Sequence, residues 1–209
     1  MALETWLTFL AAVSLLLVIP GPTILLVAAH ALAGGRRTGW YTVPGVVLGD
    51  FTAMTLSMAG MGALLAVSAT LFGVVKWCGA AYLLYLGVRM WRAAPEQLEA
   101  QAGTATPPPR ALFWQAYVVT ALNPKGLVFF VAFLPLFMDA GAPLLPQMVI
   151  LEATFLALAL LNAAAYALLA GTLRHAVRRP GVARAFNRMG GTALIGAAVF
   201  TAAIEGGKR

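Results

Sequence analysis

A chain of 209 residues that is 61% hydrophobic and only 10% charged carries more apolar surface than a soluble fold of this size can hide, whereas lipid accepts it directly. Its formal charge of +7 does not mark a nucleic-acid partner, because most basic residues cluster between long apolar runs, where a bilayer uses them to fix orientation. A single cysteine, Cys78, rules out an intrachain disulfide or a thiolate metal cage, and His30 and His175 are too few and too separated to argue for zinc, so no metal or cofactor is expected.

Six candidate spans follow in chain order, over 5–32, 41–66, 68–90, 111–138, 144–171 and 187–205. At 1.5 Å rise per residue, about 20 helical residues cross the hydrocarbon core. The runs are too long and too little alternating for barrel strands, so helices are the expected spanning form. The segment Met1 to Trp6 has no Lys or Arg, and the run after it is expected to remain as the first span instead of being cleaved as a signal. The last span is short and needs Arg188 to snorkel towards the headgroups.

The first span is interrupted by Pro20-Gly21-Pro22, followed by Thr23. Prolines remove backbone donors and glycine relaxes the chain between them, so a break near mid-membrane is expected. Gly34-Gly-Arg-Arg-Thr-Gly39 reads as a short cytoplasmic turn anchored by Arg36 and Arg37; it lacks the ending and the preceding strand of a phosphate loop. The second span carries Gly45 and Gly49, a weak dimerisation signal, and then the lone acid Asp50. Between the third and fourth spans, residues 93–110 form the only extended polar stretch and read as a tether between two halves, 1–92 and 111–209.

The fourth span repeats the interruption at Asn123-Pro124, followed by Lys125. Lys125 is too deep to snorkel readily, and is expected to face a cavity and pair with Asp50, Glu152 or a substrate carboxylate. The fifth span contributes Glu152 and, as a further polar contact, Asn162. An offset of 102 maps Pro22 onto Pro124, Gly21 onto Asn123, Thr23 onto Lys125 and Asp50 onto Glu152. Three spans per half is an odd number, so the second half is inverted relative to the first. The expected fold is therefore all-α and polytopic: two inverted three-helix repeats whose first and fourth helices are broken around a central site. The bland alternatives are packing kinks at the prolines and a static buried ion triad. Ten arginines in the first, third and fifth connections put those loops in the cytoplasm and both termini outside.

In order, Pro20-Gly-Pro22, Gly34 to Gly39, Gly45 to Asp50, Lys76-Trp-Cys-Gly-Ala-Ala-Tyr-Leu-Leu-Tyr-Leu-Gly87 and Asn123-Pro-Lys-Gly to Pro135 resemble the LysE/RhtB family of amino-acid exporters. The likeness covers spans one to four; the last two match by length and hydrophobicity. One departure is Leu136-Phe137, where the family often has Gln-Phe. The resemblance implies a bacterial cytoplasmic-membrane permease that exports amino acids or close derivatives, driven by the proton motive force. Site residues implied or read directly are Pro20, Gly21, Pro22, Thr23, Asp50, Asn123, Pro124, Lys125, Glu152 and Asn162. The small excess of acidic groups, offset by Lys125, favours a neutral or small polar amino acid over lysine or arginine. The expected partners are this solute, protons and lipid; homo-oligomerisation is compatible with the sequence but not selected by it. The rival readings are an uncoupled facilitator or channel and a structural membrane partner. No nucleophile–base set suggests an enzyme.

Overall fold

The computed structural model describes residues 1–67, 69–92, 107–139 and 141–177, together with isolated helical positions between 181 and 199. All regular structure among them is helical. Helix α1 spans Leu3–Val18 and α2 Pro22–Gly34, followed by α3 at Arg36–Val67 and α4 at Ala69–Arg92. After the linker come α5 at Pro109–Ala121 and α6 at Pro124–Val128, which runs on through a π turn, Phe129–Phe133, and a 3-10 turn, Leu134–Phe137. Helix α7 occupies Leu144–Val177.

Arg36–Gly60, Pro109–Phe137 and Leu144–Leu169 are each long and apolar enough to cross a membrane, and α1 with α2 makes a fourth candidate, bent by 50°. The expected third span is the 24-residue α4. Most of the expected sixth span and linker residues 93–106 lie outside the described residues. One described position there, Arg188, has its guanidinium carbon 5.2 Å from the centre of the Trp91 ring on α4.

Both expected interruptions are real, and proline explains each. Pro22 and Pro124 sit at the first positions of α2 and α6, where a missing N–H costs nothing. The preceding residues, Gly21 and Asn123, are extended, as proline requires of its predecessor. The connection 34–39 is tighter than a loop: Gly35 alone lies between α2 and α3, with φ at 84°, so Arg36 and Arg37 start α3. Only glycine adopts that backbone without strain. The π turn is local too. Leu134 N–H reaches back to the Phe129 carbonyl, and Pro135 next to it has no N–H to continue the regular ladder.

Gly45 and Gly49 face inward, correcting their reading as a dimerisation signal. A Cβ on Gly45 would land on the Phe113 carbonyl oxygen, and one on Gly49 would lie 2.8 Å from the Tyr117 oxygen. The pair lets α3 meet α5 backbone to backbone, and α3 packs more extensively on α5 than on any other element. On α7 the buried positions Leu151, Phe155, Ala159, Ala163 and Ala167 recur every fourth residue, one inward stripe. Two apolar clusters result. One gathers Phe9, Val13, Met54, Phe129, Phe130 and Phe155; the other gathers Val27, Val43, Val46, Ala116, Ala163 and Ala167. Leu56, Leu145 and Leu161 instead point outward and stay exposed, which suits a chain whose surroundings are lipid.

Candidate functional site

The polar residues gather between the two apolar clusters, in a cavity of about 40 Å³. Leu16, Phe155 and Ala159 wall it from one cluster, Ile24 and Val46 from the other. Its polar lining is Thr23 from α2, Asp50 from α3, Asn123 and Lys125 at the α5–α6 break, and Asn162 from α7, with Gly21 on the chain between α1 and α2.

The break in the first span sets up the chemistry. The last four carbonyls of a helix have no partner within it. Here the shortage is deepened, because the residues four positions beyond Leu16 and Val18 are Pro20 and Pro22, which have no N–H. Side chains from the second half of the protein supply every missing donor. Lys125 Nζ donates to the Leu16 carbonyl at 2.8 Å and to the Ile19 carbonyl at 2.8 Å. Asn162 Nδ2 donates to Leu17 at 3.0 Å, and the Tyr166 hydroxyl to Val18 at 3.1 Å. A cation at a helix C-terminus also meets the negative end of the helix dipole.

The second break is organised differently. Asn123 caps α6 by accepting from the Lys125 backbone N–H at 3.1 Å, while its Nδ2 donates to Thr23 Oγ1 at 3.2 Å. Thr120 Oγ1 donates to the same Thr23 oxygen at 3.3 Å. The two broken spans are thus joined through Thr23. Gly21 lets the Lys125 stem pass: a Cβ there would sit 3.3 Å from Lys125 Cδ.

Six expected site residues therefore meet at one cavity: Gly21, Thr23, Asp50, Asn123, Lys125 and Asn162. Pro20, Pro22 and Pro124 are absent from the lining and act through the backbone they interrupt. Glu152 is apart from the cavity as well; it accepts a hydrogen bond from Thr55 Oγ1 at 2.6 Å. Of the expected partners of Lys125, neither Asp50 nor Glu152 pairs with it in this structure, where the ammonium donates to backbone carbonyls instead. Asp50 and Lys125 line the same cavity without a direct hydrogen bond between them. No group of His, Cys, Asp or Glu among the described residues could hold a metal.

Sequence reasoning missed the α1 carbonyls and Tyr166. It also missed Gln147, whose amide ties the 139–143 turn by accepting from Asp139 N–H at 2.9 Å and donating to the Asp139 and Pro143 carbonyls. Tyr166 stands four residues after Asn162, one turn along the same face, and that spacing was the available signal.

Compared with known proteins, residues 14–204 match the profile of the LysE type translocator family. A leucine efflux protein of Klebsiella pneumoniae is 33% identical over 66% of this chain and 65% of its own length. One from Salmonella choleraesuis is 33% identical over 68% of this chain and 66% of its own. The match thus spans just under two thirds of each of these leucine efflux proteins. An uncharacterized membrane protein of Vibrio cholerae is 30% identical over 97% of this chain and 98% of its own length. No solved structure matches. With its profile match running from within α1 to beyond the end of α7, the chain belongs to the LysE type translocator family.

Proposed function

We propose that this protein exports neutral aliphatic amino acids of the leucine type across the bacterial cytoplasmic membrane in exchange for protons. The observation that carries the reading is the convergence of Lys125, Asp50 and the ends of a broken helix pair on one cavity with apolar walls. The substrate carboxylate binds the Lys125 ammonium and the donors at the start of α2, while Ile24, Val46, Phe155 and Ala159 receive the aliphatic side chain. Asp50 carries the coupling proton, taking it up from outside after the substrate has left and giving it to the cytoplasm before the next substrate binds. The relatives named for leucine efflux support this choice of substrate.

The cavity volume supports alternating access. A cavity of about 40 Å³ has room for roughly three water molecules, too little for leucine, so helices must part for substrate to enter. Six spans in two inverted halves, 1–92 and 111–209, would let one half rock on the other about the Thr23–Asn123 contact.

Purified protein in proteoliposomes loaded with a mixture of amino acids tests the reading. Leucine and its neutral neighbours should leave selectively, faster under an imposed proton gradient. Lys125→Ala and Asp50→Asn should each slow that flux at least about tenfold, the loss of one charge-assisted contact of about 1.5–3 kcal/mol. Efflux that ignores the gradient would make the protein an uncoupled facilitator. Efflux unchanged by both substitutions, in protein that remains folded and inserted, would overturn the site.

A further inference from the structure

We infer that the carbonyls of Leu16 and Ile19 are the binding site for the substrate's α-ammonium group, and that Lys125 occupies it as a built-in surrogate until substrate arrives. The inference rests on the amino-acid reading above and adds to it the group that recognises the ammonium.

Four carbonyls end α1, and their donors fall into two kinds. Leu17 and Val18 are held by Asn162 and Tyr166, side chains with short reach fixed on the continuous helix α7. Leu16 and Ile19 are held by the tip of a four-carbon chain rooted at the break before α6. Only the second pair has a donor that can withdraw without moving a helix. The same two carbonyls already bind an ammonium ion, with both N···O distances at 2.8 Å, so their spacing suits –NH₃⁺ as it stands. Leu16, Ile19, Gly21 and Asp50 all line the cavity beside them.

Charge accounting then explains why a zwitterion is the ligand. An incoming amino acid offers its carboxylate to Lys125 and its ammonium to the carbonyls. One ammonium replaces another at the α1 end, and the displaced Lys125 gains an anionic partner. A simple amine would leave two cations in the cavity and one carboxylate between them. A simple carboxylate could draw Lys125 away but would leave Leu16 and Ile19 without donors, which is costly in a membrane interior. Neither half of the substrate binds well alone, and the preference for whole α-amino acids follows from the exchange.

Three ligands test the exchange: L-leucine; 3-methylbutylamine, which is leucine without its carboxylate; and 4-methylpentanoate, which lacks the ammonium. Wild-type protein should bind leucine at least about tenfold more tightly than either fragment. In Lys125→Ala the carbonyls are vacant, and the amine should bind at least about tenfold more tightly than it binds wild type. Wild type that binds leucine beside a variant with no gain for the amine would overturn the ammonium site and leave the export reading standing. A variant that gains amine binding beside a wild type that binds no amino acid would keep the site and overturn the export reading.

A second measurement needs no substitution. In wild-type protein carrying ¹⁵N-lysine and ¹³C-carbonyl isoleucine, solid-state NMR should show a contact between Lys125 Nζ and the Ile19 carbonyl that disappears on saturation with unlabelled leucine. Persistence of that contact with leucine bound would refute the exchange even if the variant failed to fold.

Discussion

Tyr166 spends its hydroxyl on a carbonyl that proline has stripped of its natural donor, since the N–H that would serve Val18 belongs to position 22. Tyr166→Phe keeps the ring and removes only this bond. In lipid no water replaces it readily, so the cost is expected in the range of about 1–3 kcal/mol, towards the lower end because the hydroxyl is partly exposed. For a chain of this size that is a fall in melting temperature of roughly 2–4 °C per kcal/mol, measurable on detergent-solubilised protein. Unchanged stability would mean that Val18 finds another donor. Residue type alone made half of this cap legible. An asparagine or a lysine in an apolar run demands a partner, and Asn162 and Lys125 stand out for that reason; a tyrosine is equally at home packing or at an interface. What no residue type could announce is that the acceptors would be main-chain atoms. Charge alone points Lys125 to Asp50, Glu152 or a substrate carboxylate, yet a broken helix end offers carbonyls already desolvated and already aligned. Glu152 illustrates the opposite problem. Its offset from Asp50 suggested a shared centre, but one hydrogen bond to Thr55 holds it on another part of the α3–α7 contact.

Elements were easier to read than their contacts. Each break was visible because proline has one physical consequence, the loss of a donor, wherever it falls. The π turn was not, since it depends on how Pro135 and five phenylalanine-rich positions settle together, and no local pattern specifies that packing. The glycine pair of α3 shows the same division. Gly45 and Gly49 promised a close helix approach, and the approach exists, but only the fold decides whether the partner is another molecule or α5. That location makes a sharp contrast testable on one helix. Gly45→Ala places a methyl on the Phe113 carbonyl, which is backbone and cannot turn aside, so α3 and α5 must separate. The expected loss is about 1–3 kcal/mol, with lower thermal stability in detergent. Gly60→Ala, on the same helix, meets nothing within 4 Å among the described residues and should be neutral or stabilising by roughly 0.5–1 kcal/mol through helix propensity alone. Equal effects from the two would show that α3 does not rest on α5 as described.

The molecule as a whole must place its cavity between two aqueous spaces, and its charges argue which end faces which. Arg36 and Arg37 begin α3 while Arg89 and Arg92 close α4, so the four arginines of these two long helices stand at the start of one and the end of the other, against a single Lys76 in the first half of α4. Arg110, the last residue of the 93–110 stretch, already lies in the first turn of α5. A bilayer that retains arginine on its cytoplasmic side would hold the 93–110 linker there and set the turn at 139–143, tied by Gln147, on the outer face. Each side chain near those ends would otherwise have to be translocated, and topology would be the sum of many small preferences. The arrangement can be checked with single cysteines in a Cys78→Ala background. A cysteine at Ala102 should react with a membrane-impermeant maleimide only after the membrane is opened, and one at Gly141 should react in intact cells. Labelling of both positions from the same side would require a different number of crossings between them. Reversed labelling would turn the protein over and overturn the cytoplasmic placement of the arginine-bearing helix ends. Export driven by the proton motive force would survive that reversal, because an alternating-access exchanger opens to both sides and the gradients across the membrane, not the orientation of the chain, set the direction of net flux.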